Sequence, residues 1–167
     1  MRPLCSPPRA VSAPSPKGFT LVEMIVVLVM VALLMTIAMP SLVSIVVAQR
    51  LRAAGSGFVS ALYLARSEAI KRNINVTIRP AVADAWGAGW IVVTAGGEQL
   101  DRHQAPGSRV RVTSGAGAIT YTSSGRLDGF GVTRIEFSDE QAQPGISPRC
   151  VIVNTGGLPR IETGVCA

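Results

Sequence analysis

The chain is poor in the residues from which catalytic and metal sites are made. Its 167 residues hold one histidine, His103, and three cysteines, Cys5, Cys150 and Cys166. One histidine without a Cys-x-x-Cys spacing cannot complete a zinc site of three or four nitrogen and sulfur ligands. No Gly-x-Ser-x-Gly elbow and no P-loop occur, which removes two common catalytic frameworks. Gly115-Ala116-Gly117 lacks a third glycine and a following helical pattern, so it reads as a turn. Asp139-Glu140, in a stretch rich in glycine and proline, reads as a solvated pair of surface acids. His103 lies in a polar segment ending at Pro106-Gly107 and reads as a solvated loop or strand-end residue. The expectation is a protein that is not an enzyme, with no cofactor, no metal and no small-molecule substrate.

Strong charge is also missing. The formal net charge is +6, but Arg2, Arg9 and Lys17 fall within the first 18 residues, which contain no acid. Residues 19–167 carry 13 basic and 10 acidic groups. A surplus of that size does not by itself argue for nucleic acid.

What the chain has in abundance is one apolar run. From Phe19 to Val47 only Thr20, Glu23, Thr36, Pro40, Ser41 and Ser44 are not plainly apolar. About 20 apolar residues at about 1.5 Å rise span the hydrocarbon core of a bilayer, so this run is long enough to cross. A secretory signal peptide would have an apolar core of about 7–15 residues, and this run is about twice that. Glu23 lies near its start. A buried charge there costs roughly 2.5 kcal/mol or more, so the spacing leaves two readings: a partnered carboxylate, or one that meets lipid headgroups at the interface.

Lys17-Gly18-Phe19-Thr20-Leu21-Val22-Glu23, followed by the apolar run, resembles the processing and assembly signature of type IV prepilins and of type II secretion pseudopilins. The resemblance implies cleavage after Gly18 by a prepilin peptidase, N-methylation of Phe19, an assembly role for Glu23 and a helix kink at Pro40. It places residues 1–18 in a cleaved leader and 19–47 in a transmembrane and assembly helix. Residues 48–72 become the amphipathic half of that helix, and 73–167 a periplasmic β-rich domain. Phe58, Leu62, Ala65-Arg66-Ser67-Glu68-Ala69-Ile70, Arg72 and Gly89-Trp90 further resemble the GspH/FimT-type minor subunits. The partners implied are other pilin or pseudopilin subunits, the peptidase and inner-membrane lipid. Three positive groups and no acid in the leader favour a cytoplasmic N-terminus, with the C-terminal domain in the periplasm.

The residues support that layout. Five prolines before residue 17 exclude a helix interior from the leader. Beyond Val47, Leu51, Ala54, Phe58, Leu62, Ala65 and Ala69 recur along one helical stripe. Gly55 and Gly57 weaken this helix, by up to about 1 kcal/mol each relative to alanine. After Asn73 the pattern changes to short strands separated by turn residues. They are predicted at 75–79, ended by Pro80, and at 89–94, 109–113, 118–122, 133–138 and 150–154. The fold class is α+β: a long, Pro-kinked N-terminal helix packed on a small antiparallel β domain, type IV pilin-like.

Cys5 leaves with the leader, so Cys150 and Cys166 remain as an even pair in an oxidising compartment, where a disulfide closing the last segment is expected. Some minor pilins of this family bind DNA through a C-terminal Gly-Arg-x-Arg loop beside a disulfide. The matching stretch here is Gly157-Leu158-Pro159-Arg160. Leu158 replaces the first arginine, so only Arg160 carries over, with Arg149, Arg126 or Arg134 as candidates to compensate. A DNA-binding minor pilin serving natural transformation is therefore the alternative to a purely structural subunit of pilus biogenesis or type II secretion.

Overall fold

The computed structural model describes residues 18–129 and 131–167, without the side chains of residues 37–41. Of the expected leader only Gly18 is among them, and the expected kink at Pro40 falls on side chains outside the described residues. The chain divides into two units, Met1–Met39 and Pro40–Ala167. One helix, α1 (Leu21–Arg72), supplies residues to both.

Both ends of α1 are set by local chemistry. Thr20 is the N-cap: the backbone N–H of Glu23 donates to its Oγ1 at 3.2 Å, satisfying one of the free amides of the first turn. Thr20-Leu21-Val22-Glu23 therefore has the sequence of a capping box. At the other end Asn73 takes the left-handed conformation, φ 55°. The Asn73 N–H donates to the Ile70 carbonyl at 3.3 Å and the Ile74 N–H to that of Ala69 at 3.2 Å. That pair of bonds is a Schellman cap, with asparagine in the place glycine usually fills.

The second unit is a helix packed on two antiparallel sheets. Its strands are β1 (Val76–Val82), β2 (Ala85–Thr94), β3 (Gln99–Gln104), β4 (Val110–Ser114), β5 (Ile119–Tyr121), β6 (Thr133–Asp139), β7 (Arg149–Val153) and β8 (Pro159–Thr163). One sheet has the order β3-β2-β1-β5 and the other β4-β6-β7-β8. The predicted helical stripe is buried in full, from Leu51 and Ala54 through Phe58, Leu62 and Ala65 to Ala69. Phe58 joins the layers: its ring meets Trp86 (5.7 Å) and Trp90 (5.1 Å) of one sheet edge-on, and Phe137 (5.8 Å) of the other.

Three strand expectations are corrected. Pro80 does not end β1. It pairs with Trp90 on β2, while β5 pairs only with Val76–Ile78, so at Pro80 the other edge of β1 is open and no ladder donor is missed. Neither β3 nor β8 was predicted. Both are edge strands, largely exposed, and their sequences Gln-Leu-Asp-Arg-His-Gln and Pro-Arg-Ile-Glu-Thr carry no sustained apolar alternation.

The same two strands account for the glycines in α1. A Cβ at Gly55 would lie 2.7 Å from Ile161 Cδ1 on β8, and one at Gly57 would lie 2.7 Å from His103 Nε2 on β3. Each glycine lets the outer strand of one sheet close onto the helix. His103 is therefore a strand-end residue, next to last in β3, but not a solvated one. It is half-buried and stacked on Trp90, with centroids 4.7 Å apart and planes 7° from parallel.

Candidate functional site

Three places in the chain bear on function, and the first two hold the expected site residues. The first is the N-terminus. Gly18, Phe19 and Thr20 precede the first helical turn, and Gly18 has open space around its Cα. From Leu21 to Thr36 every side chain is exposed, with Phe19 and Leu21 each about three-quarters accessible. Among the described residues two stretches of α1 are notably apolar, Leu21–Thr36 and the longer Leu42–Arg72. The longer one is interrupted by Arg50 and Arg52 and buries Leu51, Phe58 and Leu62 against the sheets, as a core helix does. The shorter one leaves its apolar surface uncovered along its whole length.

The second place is the C-terminus. Cys150 on β7 and Cys166 are joined in a disulfide, with Cα atoms 5.2 Å apart. The tail it holds is also bonded across the sheet: the Cys166 N–H donates to Glu136 Oε2 at 2.9 Å and the Gly164 N–H to the Pro148 carbonyl at 2.9 Å. Gly157 to Arg160 is not a free loop. Pro159 and Arg160 belong to β8, and Gly157 (φ 76°) forms the β7–β8 turn. That turn is docked on the other sheet, because the buried Tyr121 hydroxyl donates to the Gly157 carbonyl at 3.1 Å. Burial pushes the Tyr121 phenol well up. A Cβ at Gly157 would sit 2.3 Å from the Gly125 carbonyl oxygen, so only glycine fits there.

Register decides which arginines meet. Arg134, Ile152 and Arg160 are direct cross-strand neighbours on β6, β7 and β8, and they line a concavity of about 170 Å³ with Val132, Asn154 and Leu158. Arg149 lies an odd number of residues from Ile152 and is on the opposite face, near Gly55 of α1, with its guanidinium donating to the Thr163 hydroxyl. Arg149 and Arg160 are therefore not brought together. Arg160 is in part neutralised by Glu162 (3.1 Å), and the next row on its face is Glu136, Cys150 and Glu162.

The third place holds the ion pairs that fix loops to the sheets. Asp139 is not a solvated surface acid but a buried one. Burial pushes its carboxyl up, but the Gln143 amide, the Arg109 guanidinium (3.0 Å) and the Gln141 amide together outweigh this and hold it below its ordinary value. Arg72 bridges Glu68 and Glu98, both at 2.6 Å, tying the end of α1 to the β2–β3 turn. Hydrogen bonding from Arg72 is the largest cause holding the Glu68 carboxyl down. Among the described residues no three His, Cys, Asp or Glu side chains are grouped to hold a metal ion.

Comparison with known proteins gives these features a context. A family model described as type II transport protein GspH matches residues 54–157, and one for the prokaryotic N-terminal methylation motif matches residues 15–39. The fold is similar to that of the type IV minor pilin FimU of Pseudomonas aeruginosa (TM-score 0.57, 20% identity, 70% of this chain and 90% of that one). It is also similar to that of the minor pseudopilin EpsH from the type 2 secretion system of Vibrio cholerae (TM-score 0.54, 13% identity, 67% of this chain and 95% of that one). At these identities the likeness is one of fold. No curated protein matches the chain by sequence.

Proposed function

Since the chain belongs to the type II transport protein GspH family, we propose that it is a minor pilin or pseudopilin, a structural subunit built into a pilus or pseudopilus at or near its tip. The observation that carries this reading is a methylation motif at residues 15–39 followed in the same chain by a GspH-type domain. In this reading residues 19–47 anchor the subunit in the bacterial inner membrane, with the leader in the cytoplasm and residues 73–167 in the periplasm. The Gly18–Phe19 bond lies ahead of the first helical turn, where a prepilin peptidase can take it in extended form.

Cleavage leaves a positive amine on Phe19, at the end of a helix whose dipole is already positive there. Glu23, in the first turn, offsets that charge within the subunit. In a packed bundle of helices it would meet a neighbouring subunit's amine, and only one stagger brings opposite charges together. Glu23 is thus assigned to assembly and axial register.

Mass spectrometry of the membrane-extracted protein should find a chain that begins at N-methylated Phe19. A bulky side chain in place of Gly18 should block that cleavage. A chain beginning near Ala48 would show that an ordinary signal peptidase acts, and the pilin reading would fail.

A second reading, a DNA-binding subunit for uptake of DNA, is favoured by the Arg134–Ile152–Arg160 row. Two cations flanking an apolar residue suit a phosphate and the sugar or base beside it. With Glu162 on Arg160 and few phosphates neutralised, such binding would be weak, with a shallow salt dependence. Gel-shift titration of duplex DNA at two salt concentrations, with Arg134→Gln and Arg160→Gln compared, tests it. Equal binding by all three proteins would remove the reading.

A further inference from the structure

Between Glu23 and Glu68, α1 contains three arginines, Arg50, Arg52 and Arg66, and no acid. The first of these stands where two concavities of the second unit meet. One is a cleft of about 430 Å³ between α1 at Arg50, Ala53 and Ala54 and the end of β3 with its following loop, His103 to Gly107. That volume is within the range of small-ligand sites. No carboxylate lines it, and Arg102 borders it from the next position along β3. The other is a groove of about 260 Å³, lined by Leu42, Val43, Val46 and Val47 with Arg50 and Arg109 at one end.

Arg50 is held but not neutralised. Its Nη1 donates to the Ser108 carbonyl at 3.2 Å and to the Ser108 hydroxyl at 3.0 Å. A guanidinium has five N–H donors, so Nη2 and Nε remain for a ligand. Arg109, by contrast, is committed to Asp139. Leu42, Val43 and Val46 are about half exposed and continue the apolar stretch that leads to the membrane anchor. At about 1.5 Å per residue the contour from Phe19 to Arg50 is about 46 Å, close to the roughly 40–45 Å of a bilayer with its headgroups.

A polar cleft and an apolar groove that meet at Arg50, a guanidinium with no carboxylate partner among the described residues, are complementary to an anionic amphiphile. We propose that this end of the second unit holds one anionic phospholipid of the outer leaflet, its phosphate against Arg50 and an acyl chain along Leu42, Val43 and Val46. The proposal rests on the anchoring reading above. Before assembly, such a site would fix the height and rotation of the globular unit on the membrane.

The test uses the full chain extracted in a mild non-ionic detergent. It is equilibrated with phosphatidylglycerol and phosphatidylcholine of matched acyl chains, and the adducts are counted by native mass spectrometry. Phosphatidylglycerol is expected to exceed phosphatidylcholine by about fivefold, the worth of one arginine near an anionic surface. Arg50→Gln should abolish that preference. Arg50→Lys, which keeps the cation but not the guanidinium bonds, and Ser108→Ala, which removes the hydroxyl bond and leaves the carbonyl bond, should both retain it, so loss in Arg50→Gln alone separates charge from local folding. Equal retention of the two lipids, or a preference that survives Arg50→Gln, would overturn the site. Displacement of the lipid by inorganic phosphate alone would assign the cleft to free phosphate and overturn the lipid proposal too. Alkaline carbonate extraction of native membranes reads anchoring separately: release there refutes the anchoring reading, whereas the lipid preference decides the site.

Discussion

Gly57 is the position where helix propensity and tertiary packing oppose each other most directly. Replacing it by alanine in the interior of α1 should add about 1 kcal/mol of helix stability on propensity alone. The new Cβ, however, would stand 2.7 Å from His103 Nε2 and 3.3 Å from its Cε1. The imidazole cannot simply swing away, because its other face lies on Trp90. Losing that stack costs about 0.5–1.5 kcal/mol, and forcing β3 outward costs the roughly 1–3 kcal/mol typical of overpacking. Gly57→Ala should therefore destabilise by about 0.5–3.5 kcal/mol net. Gly55→Ala makes an equally short contact, but with the terminal methyl of the partly exposed Ile161, which can rotate. It should be neutral or stabilising by up to about 1 kcal/mol. Urea unfolding of the detergent-solubilised chain, followed by tryptophan fluorescence, measures both. In a His103→Ala background Gly57→Ala should become stabilising, a sign reversal that a double-mutant cycle reads directly. Gly57→Ala at or above wild-type stability, or no reversal without the imidazole, would refute the packing account of this glycine.

Gly157→Ala should cost about 3 kcal/mol or more in the same unfolding assay, since left-handed backbone and a clash with the Gly125 carbonyl add together. Asp139→Asn should destabilise by about 1–3 kcal/mol near neutral pH, because Arg109 loses its charged partner. The Asp139 carboxyl is held low in the folded state, so its contribution is present above its unfolded pKa and is lost as pH falls through the folded one. The gap between wild type and Asp139→Asn should close on acidification and reopen on return to neutral pH. Non-reducing peptide mapping of the protein from the membrane fraction should recover Cys150 and Cys166 as one linked peptide. Replacing both by serine should cost about 3 kcal/mol for a loop of this length.

What was legible in the sequence follows from how local each signal is. The buried stripe from Leu51 to Ala69 declared itself because a helix repeats its apolar face every three or four residues. The strands rich in valine and isoleucine, the edge strands β4 and β5 among them, were visible through their composition and two-residue alternation. β3 and β8 were not, because Gln-Leu-Asp-Arg-His-Gln and Pro-Arg-Ile-Glu-Thr carry no sustained apolar alternation; their evidence lies in the glycines of α1 that they touch. His103 looked solvated because its neighbours are polar, whereas its surroundings are set by Trp90 and Gly57 from two other elements. The N-terminal methylation motif at residues 15–39 is a contiguous string and could be read outright. The Arg134–Ile152–Arg160 row requires the register of three strands, and the cleft at Arg50 requires a loop more than 50 residues away in sequence.

Filaments sheared from cells that express the chain offer the most direct measurement. Proteolysis and mass spectrometry of that fraction should recover this chain beginning at N-methylated Phe19, at a small ratio to the major subunit. A Glu23→Ala chain should be processed normally in the membrane but depleted from the filaments. Absence of the wild-type chain from every sheared or cross-linked assembly, while it accumulates in processed form in the membrane, would contradict the claim that it is a fibre subunit.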